Sequence, residues 1–239
     1  MPILNRRVRP SIAIAVISVV AVAAVGCGSG SQSSPTSTSS GERPTTVPEG
    51  PRNPVIAAVV LTAEDVGPDA EVEMMEGGDQ VAGMVTLDVC GGDFPSEADR
   101  TDRYQQNASQ GTTPLWSNET VLYRTSEDAA AALDEVRAAI ADCPADQYVS
   151  SPVMGEPDAT FAFTPVPEAA TASLAPDHVA TTADVTYEGE GPIRVTVVYQ
   201  RRGRVLAMVY GNDEATTLDA SAVVAERLAA LTPEQAGEG

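Results

Sequence analysis

Apolar positions in this 239-residue chain fall into a few periodic stretches separated by turn residues. Ala129, Leu133, Val136, Ile140 and Cys143 recur at alternating spacings of four and three, which places them on one face of a helix. Thr125 or Ser126 caps that helix, Glu127 and Asp128 lie near its positive end, and Pro144 stops it. A second helix is predicted over residues 218–231, with Val224, Leu228 and Leu231 on one side and Pro233 as the stop. Short strands are predicted over 84–89, 120–124, 160–163 and 183–187, the last leading into the turn Gly189-Glu190-Gly191. Ile193, Val195, Val197 and Tyr199 alternate along a further strand, which turns at Arg201-Arg202-Gly203 into Val205, Ala207 and Val209. Strands clustered around two helices, instead of alternating with them, predict an α+β fold: an antiparallel sheet with two main helices packed on one face, in a single domain over residues 54–233 with a disordered tail over 234–239.

The stretch ahead of this domain has a different pattern. Arg6, Arg7 and Arg9 precede an apolar run over residues 12–25, and Ala24-Val25-Gly26 leads directly into Cys27. Positive, apolar, small, cysteine is the order of a bacterial lipoprotein signal, so residues 1–26 are expected to be removed and Cys27 acylated. The run of 14 residues suits a signal peptide and is shorter than the roughly 20 that a spanning helix needs. A short membrane anchor with an incidental cysteine is the competing reading. Residues 27–53 then follow as the lipidated cysteine and a tether of Ser, Thr, Pro and Gly, which has too little apolar surface to offset its ordering entropy. The expected location is the extracytoplasmic face of the cell membrane, held by the lipid.

Composition narrows the partners. The chain has no lysine, and removal of the leader takes away three arginines and no acid, leaving 11 arginines against 34 acids, a formal charge of −23. Such a surface repels phosphates, so nucleic acid is not an expected partner. In an oxidising compartment Cys90 and Cys143 are the cysteines left once Cys27 is acylated, and a disulfide between them is expected, with two buried thiols as the alternative.

Catalytic signals are weak. His178 is the only histidine and sits in a loop-like Pro176-Asp177-His178-Val179, and Gly-x-Ser-x-Gly is absent. Zinc needs more Cys and His than the domain has, and Glu71, Glu73, Glu76 and Asp79 lack calcium-loop spacing and read as a solvated charge run. No enzyme activity, metal or cofactor is expected. One contrast remains: Arg194, Arg201, Arg202 and Arg204 concentrate in the hairpin of an acidic protein, either as an acceptor for an acidic ligand or as partners for nearby carboxylates. Beside them Val198, Leu206, Met208 and Tyr210 are apolar on the side opposite the regular alternation, and a sheet apolar on both faces needs a cover. Arg201, Arg202, Arg204, Leu206, Met208 and Tyr210 are therefore the candidate ligand-binding residues.

The order of these elements resembles the sensor domain shared by actinobacterial lipoproteins and the extracellular part of the PknH-like receptor kinases. Leu61-Thr62-Ala63-Glu64-Asp65-Val66 corresponds to the family's short helical opening, residues 121–143 to its strand and alanine-rich helix ending in a cysteine, and residues 195–231 to its closing hairpin and helix. Kinase members carry a second cysteine pair in the C-terminal half, which this chain lacks after Cys143. The resemblance implies a cleft beside the sheet for an envelope ligand. The expected function is a lipid-anchored extracytoplasmic ligand-binding or sensor-type domain without catalysis. A structural envelope lipoprotein that contacts other proteins is the alternative, and a cell-surface hydrolase the remote one.

Overall fold

The computed structural model describes residues 50–67, 69–150 and 158–238, all within one unit over residues 45–239. The leader, Cys27 and all but the end of the tether lie outside the described residues.

Two short helices open the domain. Asn53 accepts the Val55 amide and caps α1 (Pro54–Val59), and Asp65 accepts the Thr62 amide at the start of α2 (Ala63–Val66). Next come β1 (Ala70–Met74), β2 (Arg100–Gln110), β3 (Thr113–Tyr123) and α3 (Ser126–Asp142). The chain continues through β4 (Ala159–Pro165), β5 (Asp177–Tyr187), β6 (Ile193–Arg202), β7 (Val205–Gly211), α4 (Glu214–Ala230) and α5 (Pro233–Ala236). One seven-stranded sheet, order β1-β2-β3-β7-β6-β5-β4, holds all the strands, and every neighbouring pair is antiparallel. The α+β class is as the periodicity indicated.

The placement of the helices is not. Val205, Ala207 and Val209 of β7 pack with Val224, Leu228 and α1, whereas Leu206 and Met208 pack with Ala129, Leu133 and Val136 of α3. Because neighbouring strand residues point to opposite faces, α3 and α4 cover opposite faces of the sheet instead of sharing one. Both are amphipathic, so either arrangement buries a stripe. What decides is that β7 is apolar at every position from Val205 to Val209 and needs cover on both sides.

The β6–β7 hairpin corrects a second expectation. Arg202 pairs with Val205, so the connection is the two residues Gly203 and Arg204, and Tyr199 stands opposite Met208. Val195, Val197 and Tyr199 therefore share the α3 face with Leu206, Met208 and Tyr210, and Val198 belongs with Val205 and Val209 on the α4 face. Residues 234–238 are not a loose tail: Thr232 and Gln235 form a capping box for α5, Ala236 is fully buried, and its carbonyl accepts the Arg204 amide at 2.7 Å.

Gly203 has φ of 55°, and a Cβ there would lie 2.0 Å from the Ala236 carbonyl oxygen. Gly203→Ala should cost about 1–3 kcal/mol, seen as a lower urea midpoint at unchanged slope. Gly111, with φ of 59° and open space around it, supplies the control: Gly111→Ala bears the backbone strain alone, about 1 kcal/mol.

The strand expected over 84–89 is irregular loop. Its apolar spacing reflects Leu87 and Val89 packing beneath α3, and the amides of Thr86 and Leu87 are met by the Glu97 carboxylate at 3.0 and 3.2 Å instead of by a neighbouring strand.

Candidate functional site

On the α3 face the sheet extends beyond the reach of the helix. α3 covers the middle of β3, β7 and β6 and leaves the outer part of the floor, where Phe161 and Phe163 of β4, Ala183 and Val185 of β5, Val197 and Tyr199 of β6, and Met208 and Tyr210 of β7 line a cavity of about 540 Å³. Its size lies in the range of small-molecule sites. The rings of Phe161 and Phe163 stack with centroids 5.9 Å apart. The opposite wall is the loop through residues 75–89, which contributes Met75, Met84, Val85 and Val89, and Ile140 closes one end from α3.

A polar cluster fixes that loop to the sheet. Glu119 of β3 and Arg103 of β2 are both within 1% of full burial and pair at 2.7 Å. Thr86 donates its hydroxyl to Glu119 Oε1 at 2.6 Å and accepts from Arg100 Nη1 at 2.7 Å. Arg103 also donates to the carbonyls of Gly77 and Gln80, each at 3.2 Å, and to Gln105 Oε1 at 2.5 Å. The loop is thus tied by its own carbonyls to a guanidinium that cannot lose its charge. Burial raises the Glu97 pKa, against the opposing pull of the Thr86 amide and the Arg100 charge. At the far end of the loop Cys90 and Cys143 form a disulfide, with Cα atoms 5.8 Å apart, which joins the wall to the end of α3.

The candidate residues from the sequence divide between two places. Met208 and Tyr210 line the cavity, whereas Leu206 is 1% exposed beneath α3 and meets no ligand space. The three hairpin arginines lie instead around a broad polar depression at the hairpin tip. Arg201 pairs with Asp177 at 2.5 Å, and Arg202 pairs with Glu238 at 3.3 Å and donates to the Leu228 and Ala229 carbonyls at the end of α4. Arg204 lies along Gly237, its Nε buried without a hydrogen-bond partner. Arg194 forms a two-pronged pair with Asp184 at 2.8 and 2.7 Å. Most of these cations are occupied by the protein's own carboxylates and carbonyls, which leaves the apolar cavity as the candidate site.

Periodicity missed Glu119, Phe161 and Phe163 as site residues, although a signal was present. Glu119, Val121 and Tyr123 share one face of β3, so a carboxylate falls in line with two buried apolar residues. Phe161 and Phe163 likewise share the inner face of β4.

His178 Nδ1 lies 2.7 Å from the Ala175 carbonyl oxygen. The adjacent Asp177 carboxylate is turned to Arg137 and Arg201; burial would raise its pKa, but hydrogen bonds from those two arginines overcome burial and hold it below the usual carboxylate value. Asp177 therefore does not orient the imidazole. Among the described residues no cluster of His, Cys, Asp and Glu is arranged to hold a metal ion, and no helix is long and apolar enough to cross a membrane.

No protein-family profile matches the sequence, and no curated protein matches it. Among solved structures the chain is similar to the crystal structure of the extracellular domain of PknH from Mycobacterium tuberculosis, with 12% identity over 73% of this chain and 94% of that chain, and a TM-score of 0.48. This is a weak, fold-level likeness.

Proposed function

We propose that this chain is a ligand-binding or sensor-type domain of the bacterial envelope, without catalysis, held at the outer face of the cell membrane by acyl groups on Cys27. The observation that carries the reading is the cavity: aromatic and aliphatic side chains from four strands form its floor, and a loop clamped by an ion pair and a disulfide forms its wall. Apolar surface left open in this way gains most when a partly apolar molecule displaces its water. The leader and cysteine supply the address, since two or three acyl chains bind a membrane stably where one does not.

The test is purification of the protein from its own membrane, followed by organic extraction and mass spectrometry. Wild type should carry a co-purifying amphiphile, and Val197→Trp, which fills the floor of the cavity with an indole, should lose it while remaining folded. Equal recovery from the two proteins, or none from either, rejects the binding role. Cys27→Ser should move the protein from the membrane to the soluble fraction, and retention in the membrane rejects the anchor.

A further inference from the structure

The wall of the cavity is built in part from thioethers. Met75 and Met84 line it from the loop and Met208 from the floor, whereas Met74, next in sequence to Met75 and 37% exposed, does not line it. Met75 and Met84 are half-buried, and Met208 is only 8% exposed. Methionine is flexible and apolar, which suits a wall that closes on an apolar molecule. It is also the apolar side chain that an oxidant makes polar without breaking the chain.

The backbone that carries these two loop residues is fixed. The Met75 amide donates to the Gln105 carbonyl at 3.0 Å, and the Met75 carbonyl accepts from the Gly78 amide at 2.8 Å. The Met84 carbonyl accepts from Arg100 Nη2 at 2.6 Å, and a Cβ on Gly77 would lie 3.4 Å from both Sδ and Cε of Met84. Both thioethers are held at the wall by bonds in which sulfur takes no part. A change at sulfur therefore alters the lining and leaves the loop in place.

Building on the reading of the cavity as a binding site, we propose that Met75 and Met84 make it redox-sensitive: as thioethers they close the cavity on an apolar ligand, and their conversion to sulfoxides by a peroxide releases it. In that step a sulfur lone pair attacks one peroxide oxygen, the O–O bond breaks as the S–O bond forms, sulfur gives up two electrons, and hydrogen peroxide leaves as water. The product carries a strong hydrogen-bond acceptor. Kept facing the Phe161 and Phe163 floor, the sulfoxide is desolvated; turned out to water, it withdraws its methyl end from the wall. Each outcome weakens the hold on an apolar ligand. A methionine sulfoxide reductase restores the thioether.

The experiment titrates Nile red into the mature chain carrying Cys27→Ser, before and after treatment with hydrogen peroxide, and maps each added oxygen by mass spectrometry of peptides. Treated protein should bind Nile red at least about five-fold more weakly while staying folded in urea titration. Met74→Leu should lose as much on treatment, because Met74 is outside the cavity. Met75→Leu with Met84→Leu should bind the dye within about two-fold of wild type before treatment and lose less than about two-fold after it. If the paired variant does not hold the dye, Met75→Leu and Met84→Leu singly supply the comparison, each losing less than wild type. Sulfoxide mapped at both positions with unchanged affinity overturns the switch and leaves the cavity as a binding site. So does oxidation confined to Met74, a loss as large in the leucine variants as in wild type, or a loss that accompanies unfolding. Failure of Nile red to bind the untreated protein overturns both.

Discussion

Arg103→Met should lower the stability of the domain by about 3–5 kcal/mol, a large share of the 5–15 kcal/mol typical of a folded domain. The substitution leaves the Glu119 carboxylate in a site 1% exposed with one hydroxyl donor, from Thr86. A buried charge that has lost its counter-ion costs more than the pair contributed while intact, because the desolvation remains and the attraction does not. Replacing both partners, Arg103→Met with Glu119→Met, should recover part of the loss. Recovery stays incomplete because the Gly77 and Gln80 carbonyls lose the guanidinium that accounts for their hydrogen bonds. Urea unfolding of the wild type, both single variants and the double variant gives the coupling directly. A coupling near zero, with the single variants as stable as wild type, would refute a clamped loop. Ligand release offers a second reading of the same clamp. The double variant should bind the co-purifying amphiphile more weakly than its restored stability alone implies, since loop 75–89 is one wall of the cavity.

The same ion pair explains why half of the sheet was hard to read from the residues. β2 carries no apolar alternation: its sequence, Arg-Thr-Asp-Arg-Tyr-Gln-Gln-Asn-Ala-Ser-Gln, has only Tyr104 and Ala108 as apolar residues. Its other inward positions are filled by Arg103 and Gln106, each satisfied by specific partners, Gln106 by the Leu61 carbonyl. Hydrophobic alternation does not detect a strand buried through polar pairs. β3 was truncated for the same reason. Asn118, fully buried, spans two elements by accepting from the Leu61 amide and donating to the Met208 carbonyl, and so looks like loop chemistry in a one-dimensional reading. Glu71 and Glu73 give β1 the pattern of a solvated charge run, and both are exposed, yet Val72 between them packs on the core as an edge strand would. Where burial is apolar, the residues were informative: α3 is capped at Thr125, buries Ala129, Leu133 and Val136, and ends before Pro144.

The candidate site was legible only in outline. An apolar excess on both sides of β7 correctly signalled that something must cover the second face, and Met208 and Tyr210 do line the resulting cavity. What the residues did not convey is that α3 would take part of that face, burying Leu206, and that an irregular loop would frame the rest. Both depend on contacts far apart in sequence: Glu119 to Thr86, and Cys90 to Cys143. The arginine concentration in the hairpin, read as either a ligand site or internal pairing, sits at a different end of the sheet, where Asp177 and Glu238 meet Arg201 and Arg202.

Removal of the disulfide is the second large effect. Its partners are 53 residues apart, and the chain-entropy account gives about 4 kcal/mol for closing a loop of that length. Cys90→Ala with Cys143→Ala should therefore lower the urea midpoint markedly and also steepen the slope, because the unfolded chain is freed to expand. Cys90 adds a distinguishing feature: it has φ of 56°, the one described non-glycine residue in the left-handed region. Alanine keeps that strain while losing the bond that holds it, whereas glycine adopts the conformation without cost. Cys90→Gly with Cys143→Ala should then be more stable than the double alanine variant by about 1 kcal/mol, despite glycine's freer unfolded chain. If the alanine pair proves the more stable, backbone strain at position 90 is not what the bridge restrains, and if neither pair loses stability the bridge adds nothing to the fold. The bond itself is checked first by alkylation of the unreduced protein, where modification of both thiols would rule it out. In the folded variants, loss of the tie between loop 75–89 and the end of α3 should weaken the retained amphiphile more than Gly203→Ala does, since Gly203 lies at the hairpin tip and touches Ala236 instead of the cavity.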